Sequence, residues 1–79
     1  GVVPDYLYDE KGMRIDGVSE DRPAQNAGMI KGDVVIQVGS YKITDMMSYM
    51  KSLSKFEKGQ TTTVIVERNG VPLELKVTW

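Results

Sequence analysis

The chain has 79 residues, the size of one small domain. Its net charge of −1 argues against nucleic acid or an anionic membrane as the main partner, since both require a concentrated basic surface. The absence of cysteine and histidine excludes disulfides, cysteine metal sites and a Ser-His-Asp triad within this chain. No apolar run approaches the length of a membrane-spanning helix, so we expect no membrane insertion.

Residues 1–18 predict two strands joined by a polar turn. Residues 1–3 are apolar and extended, and Pro4 limits any hydrogen-bonded ladder there to one side. In residues 13–18, Met13 and Ile15 alternate with charged residues, which predicts a strand with one buried face.

Residues 23–33 predict one short helix followed by a tight turn. Pro23 suits the first turn of a helix because its fixed φ is already helical. Residues 24–27 supply barely one turn, and Gly28 stands where helices commonly end in the left-handed conformation. Lys31-Gly32-Asp33 then predicts a second turn.

Residues 34–38 predict a strand with one buried face. Val34, Ile36 and Val38 alternate with polar residues, so we expect these three side chains to face the core. Val35 breaks the alternation, and the opposite face is therefore expected to be partly covered.

Residues 41–43 predict a short strand, and residues 44–56 predict a helix of about three turns. Thr44 suits the N-cap, and Asp45 suits the positive end of the helix dipole. Lysines follow toward the C-terminal end, where positive charge is favourable. The apolar stripe of the helix consists of Met46, Tyr49, Met50, Leu53 and Phe56.

The last part of the chain predicts a β-hairpin. Residues 61–68 are rich in β-branched side chains, and residues 71–79 alternate apolar with polar ones. Asn69-Gly70 between them is a strong hairpin signal, because both residues accept a positive φ.

Four short motifs carry a family resemblance: Pro23-Ala24, Ala27-Gly28, Gly32-Asp33-Val34-Val35 and Gly39. Their order and spacing resemble the central motif of PDZ domains of the bacterial protease-associated type, and the resemblance extends over nearly the whole chain. It implies a single PDZ-like domain over residues 1–79. The implied fold is α+β and mainly β, a small, partly open β-sandwich or barrel of five to six strands with two helices in the permuted bacterial strand order.

Val2-Val3-Pro4-Asp5-Tyr6 also resembles the opening of PDZ domains appended to zinc-dependent aminopeptidases. The resemblance implies a domain cut from a larger bacterial peptidase, with a zinc aminopeptidase favoured over a serine protease. It implies no cofactor in this chain, zinc being expected only in the parent's catalytic domain. It also implies a location in the periplasm, the cell envelope or outside the cell.

The function implied by the resemblance is non-catalytic binding of a peptide C-terminus or another extended segment, to recruit substrate or regulate a separate catalytic domain. In PDZ domains such a peptide adds as a strand between the groove strand and the longer helix. Gly1-Val2 matches the end of the hydrophobe-Gly-hydrophobe loop that holds the ligand carboxylate, and the first hydrophobe has no counterpart here. The implied site residues are Gly1, Val2, Val3, Pro4, Asp5, Tyr6, Met47 and Met50, with Met46 and Leu53 assigned to the core.

An alternative is a structural module whose groove is blocked, and which packs on its own catalytic domain or self-associates. Pro4 favours this alternative, because it removes an N–H group that a bound peptide would use. Tyr6, Tyr8 or a neighbouring chain would then fill the groove. Catalysis within the chain is disfavoured, because none of its carboxylates has catalytic or calcium-loop spacing.

Overall fold

The computed structural model describes residues 2–5, 7–8, 11–18 and 23–79. Strands dominate the described residues, and the helical segments are short. In chain order the elements are β1 (Val2–Pro4), β2 (Met13–Val18), α1 (Pro23–Asn26), β3 (Val34–Val38), β4 (Tyr41–Lys42), α2 (Met46–Leu53), β5 (Thr61–Arg68) and β6 (Val71–Thr78).

The strands form one antiparallel sheet in the order β1-β2-β3-β5-β6, and the short β4 pairs with β3. This architecture confirms the prediction of a mainly β domain. The strands β1 and β6 end the order, so the described sheet is open at both sides.

One core lies under the sheet and α2. The predicted inward positions Met13 and Ile15 on β2 are buried, as are alternate residues of β5. Residues of β1, α2 and the C-terminal hairpin pack around it, including Val2, Met46 and Leu53. The buried apolar residues are Met13, Ile15, Met29, Val35, Val38, Ile43, Tyr49, Val64, Val66 and Val77.

The prediction of which β3 side chains face the core is partly wrong. Val38 is fully buried as expected, but Val34 and Ile36 are only partly buried, whereas Val35 is completely buried. The cause is a shift in register against β5, where Val35 pairs with Val66 but Gln37 pairs with the next residue back, Ile65. The extra residue forms a bulge that resets the alternation, so positions 35 and 38 both face the core.

The C-terminal hairpin forms as predicted. Asn69 has φ 55° and Gly70 has φ 78°, which are the two left-handed positions that a tight hairpin turn requires. Arg68 pairs with Val71 at the turn, and the register continues without a break to Thr61 and Thr78.

The helix α2 is shorter than the predicted helix over residues 44–56. Its N-cap is Asp45, so the assignment of the cap to Thr44 is wrong. The Asp45 Oδ1 accepts from the Ser48 N–H at 2.8 Å, and Ser48 Oγ accepts from the Asp45 N–H at 3.1 Å. This reciprocal pair satisfies two donors at once, which Thr44 does not do. The helix ends at Leu53. Beyond it the Phe56 N–H donates to Leu53 O, three residues back, so a tighter turn replaces the α-helical pattern.

Candidate functional site

The first candidate wall is β1, an edge strand. It pairs with β2 through Val2↔Val18, Val3↔Gly17 and Pro4↔Ile15. Its other edge has no strand partner among the described residues, because β1 ends the strand order. An edge of this kind can accept an additional strand.

Pro4 shapes that edge. The next residue, Asp5, donates its N–H to Arg14 O at 2.9 Å and so faces β2. Successive backbone N–H groups of an extended chain point to opposite sides, so the nitrogen of Pro4 faces the free edge. Pro4 therefore costs the β1–β2 ladder no hydrogen bond, but it removes one donor from the free edge.

The side chain of Asp5 is committed within the domain. Its carboxylate accepts from Arg14 Nε at 2.8 Å and from Arg14 Nη2, and its other oxygen accepts from the Leu7 N–H at 3.0 Å. The hydrogen bonds from Arg14 and then from Leu7 hold the pKa of Asp5 below its usual range. The side chain of Asp5 is therefore not available to a ligand. Leu7, which the sequence analysis did not single out, is 92% exposed just beyond β1.

The second candidate wall is α2, which divides its side chains between core and solvent. Tyr49 is buried, and burial raises the pKa of its hydroxyl to about 12. Met46 and Leu53 pack against the core, where the sequence analysis placed them. Met47 and Met50 are 75% and 60% exposed.

The two walls adjoin one core. Val2 of β1 and Met46 and Leu53 of α2 all pack against it. The Gly12 N–H donates to Thr44 O at 3.2 Å, which holds the beginning of α2 beside the beginning of β2. Gly1 and Tyr6, both predicted site residues, lie outside the described residues, as does the side chain of Val3.

Residues 2–5, 7–8, 11–18 and 23–79 contain no group of three or more His, Cys, Asp or Glu that could hold a metal ion. In the same residues, no helix has the length and apolar character needed to cross a membrane.

Comparison with known proteins gives a consistent family match. The family model described as PDZ domain matches residues 4–78. An inferred zinc metalloprotease of Staphylococcus aureus strain N315 is 39% identical over 64 residues, covering 81% of this chain and 15% of that protein. The serine protease Do-like HtrA of Lactobacillus helveticus is 37% identical over 68 residues, covering 86% of this chain and 16% of that protein.

Two solved structures share the fold. An aminopeptidase N family protein of Idiomarina loihiensis has a TM-score of 0.88 at 25% identity, over 100% of this chain and 13% of that one. The HtrA-type protease AlgW, solved with a decapeptide, has a TM-score of 0.87 at 25% identity, over 99% of this chain and 27% of that one. The chain thus spans less than a third of each of these four proteins.

Proposed function

Since the chain belongs to the PDZ domain family, we propose that it is a non-catalytic module that binds an extended peptide for a bacterial peptidase. The observation that carries the proposal is the edge strand β1, whose outer side has no strand partner among the described residues. The HtrA-type relative AlgW, solved with a decapeptide, supports the same conclusion.

The proposed binding mode is β-augmentation. The peptide adds as a strand to the free edge of β1, and main-chain hydrogen bonds from the outward-facing backbone groups of Val2–Pro4 supply affinity. Pro4 offers only its carbonyl, so we expect fewer hydrogen bonds at this position than a regular edge strand would give.

Met47 and Met50 are proposed to form the opposite wall. Both side chains are exposed and flexible, and they project from a helix that is anchored to the core by Tyr49. Methionine adapts to varied apolar shapes, so we expect the peptide side chains on this wall to be apolar. Gly1 is proposed to complete the site at the start of β1.

The larger protein is proposed to be a peptidase with its catalytic domain elsewhere. Relatives of both the zinc and the serine type match at similar identity, so this domain alone does not distinguish the two classes. The zinc aminopeptidase parent, the permuted strand order and a location in the cell envelope or outside the cell stay predictions. The proposed role is to recruit substrate or to regulate the catalytic domain.

The test is an NMR titration of the ¹⁵N-labelled chain with peptides that end in apolar residues. We expect amide shifts in residues 2–5 and in α2. Met50→Ala should weaken binding about fivefold, since an interfacial side chain that is half exposed contributes about 1 kcal/mol. Val71→Ala is the matched control, because Val71 is an apolar residue of β6 whose exposed fraction, 57%, is close to that of Met50.

The outcome separates peptide binding from the docking alternative. Amidated peptides should bind more weakly than free acids if the ligand carboxylate is read, and equally if the segment is internal. No shift at millimolar peptide would contradict the proposal. That result would favour instead a domain whose groove is blocked and which packs on the catalytic domain or on a second copy. The observation that supports this alternative is Pro4 at the free edge.

A further inference from the structure

A second concave site lies on the opposite flank of α2. At about 100° per residue, Ser48 and Ser52 lie about 100° to 160° around the helix axis from Met47 and Met50. A cavity of about 380 Å³ opens here between α2 and β4. Its lining residues are Ser40, Tyr41, Lys42, Ser48, Lys51, Ser52 and Lys55.

The cavity concentrates positive charge in a chain whose net charge is −1. Lys42, Lys51 and Lys55 line it, and none of its lining residues is acidic. The ion pairs found among the described residues join Arg14 to Asp5, Lys31 to Asp16 and Arg68 to Asp33. None of the three cavity lysines takes part in them, so their charges are available to a ligand.

The helix dipole explains only part of this arrangement. Lys51 lies in the last turn of α2 and Lys55 just beyond it, where positive charge is favourable without any ligand. Lys42 belongs to β4 and gains nothing from that helix end. The helix end therefore does not account for a third lysine in the lining of the same cavity.

The serines provide space rather than charge. Ser52 Oγ donates to Tyr49 O at 2.7 Å, and Ser48 Oγ donates to Asp45 O at 2.9 Å. Their donors are thus used within α2, while their small size leaves room that larger side chains would fill. The Tyr41 ring, held edge-to-face against Phe56 with centroids 6.1 Å apart, adds an apolar side.

We propose that this cavity binds a phosphate monoester. Three ammonium groups exceed the charge of one carboxylate, whereas a phosphate monoester carries about −1.5 to −2 near neutral pH. Lysine binds phosphate as a point charge and needs no planar geometry. The volume falls in the range of small-molecule sites, about 300–1,000 Å³, so an organic group fits beside Tyr41. The near-neutral net charge favours a soluble ester over a lipid headgroup.

The test uses glycerol phosphate as the probe, at constant ionic strength, with the ¹⁵N-labelled chain. We expect amide shifts at Lys42, Ser48 and Lys51. The double variant Lys42→Gln/Lys51→Gln keeps most of each stem, and it should weaken binding about tenfold, as two exposed charge contacts would. The control is Lys76→Gln, because Lys76 Nζ is bound to Thr63 Oγ1 at 2.6 Å and does not line the cavity.

A second arm identifies the source of the phosphate. Phosphatidylcholine vesicles with and without phosphatidic acid are sedimented with the chain, and co-sedimentation that requires phosphatidic acid and is lost in the double variant would assign a lipid headgroup. Binding of glycerol phosphate alone would assign a soluble ester. The proposal would be overturned if the chain bound neither glycerol phosphate nor the vesicles with phosphatidic acid, or if the native chain and the double variant bound equally. Met50→Ala should leave phosphate binding unchanged, which separates this site from the peptide site.

Discussion

Asp33 and Arg68 form a two-point ion pair that joins the turn after α1 to the end of β5. Arg68 Nε donates to Asp33 Oδ1 at 2.8 Å, and Arg68 Nη2 donates to Asp33 Oδ2 at 2.7 Å. The same Nη2 donates to Gly28 O at 2.9 Å, and Asp33 Oδ2 accepts from the Ile30 N–H at 3.1 Å. The fully buried Asp33 therefore fixes the two turns on either side of Met29 against β5. This explains why an aspartate stands directly before β3.

Asp33→Asn should destabilise the domain by about 3 kcal/mol, because it removes one partner of a buried pair and leaves Arg68 without its counter-charge. This value is the lower end of the range that is usual for breaking a buried ion pair, because 30% of the Arg68 side chain remains exposed to water. Urea unfolding measures the loss. The matched control is Asp16→Asn, which removes an exposed pair of 4.0 Å with Lys31 and should cost less than about 1 kcal/mol. Equal losses in the two variants would contradict a structural role for the buried pair.

The stability of the domain should fall in acid because of the same carboxylate. Burial by itself raises the pKa of Asp33, but hydrogen bonds from Arg68 and from the Ile30 N–H outweigh burial and hold this pKa below its ordinary value. A carboxylate whose pKa is depressed in the native state stabilises the fold at pH values above its unfolded-state pKa of about 4. This stabilisation is lost as the pH falls from about 4 through the native pKa.

Urea unfolding at a series of pH values from 6 to below 3 tests this, and the Asp33→Asn variant should show a flatter profile than the native chain. Asp5, whose pKa is also lowered, contributes in the same direction and remains in both proteins. Parallel profiles for the two proteins would show that Asp33 does not control the acid transition.

Asp45→Ala should destabilise the domain by about 1 kcal/mol, because it removes the side-chain half of the capping box at α2. Thr44→Ala is the control, since Thr44 is exposed and is not the N-cap, and it should cost only a few tenths of a kcal/mol. Thermal unfolding of both variants measures the difference. A larger loss for Thr44→Ala would restore the assignment that the sequence alone favoured.

Local patterns were sufficient for the elements whose cause lies within a few residues. The Asn69-Gly70 hairpin, the buried face of β2 and the division between Met46 and Met47 follow from the φ preference of the turn and from periods of two and 3.6 residues. In contrast, Thr44 and Asp45 are both good N-cap residues, and only the partner Ser48 decides between them.

Features that depend on distant residues could not be predicted in this way. The bulge in β3 exists only relative to β5, so no periodicity within residues 34–38 could reveal that Val35 is buried. The pairing of Asp33 with Arg68 spans 35 residues of sequence. The cationic cavity likewise requires Lys42 of β4 and Lys51 of α2 to line the same space, and each lysine considered alone is typical of an exposed surface.

Gly12 and Gly59 offer a matched pair of glycine substitutions. Gly12 has φ +94° and Gly59 has φ +91°, so an alanine at either position adopts the same left-handed backbone. A Cβ at Gly12 would lie 2.7 Å from Val34 Cγ1 and 2.8 Å from the Val35 carbonyl oxygen, whereas a Cβ at Gly59 has no atom within 4 Å.

Gly59→Ala should therefore cost only the backbone strain, about 1 kcal/mol, while Gly12→Ala should add overpacking against a backbone oxygen and cost about 3 kcal/mol in total. Gly12→Ala should also weaken peptide binding, because the hydrogen bond from the Gly12 N–H to Thr44 O holds the beginning of α2 beside β2. Urea unfolding and the peptide titration measure the two effects. If both variants lose the same stability and neither loses peptide affinity, the close approach at Gly12 does not position α2.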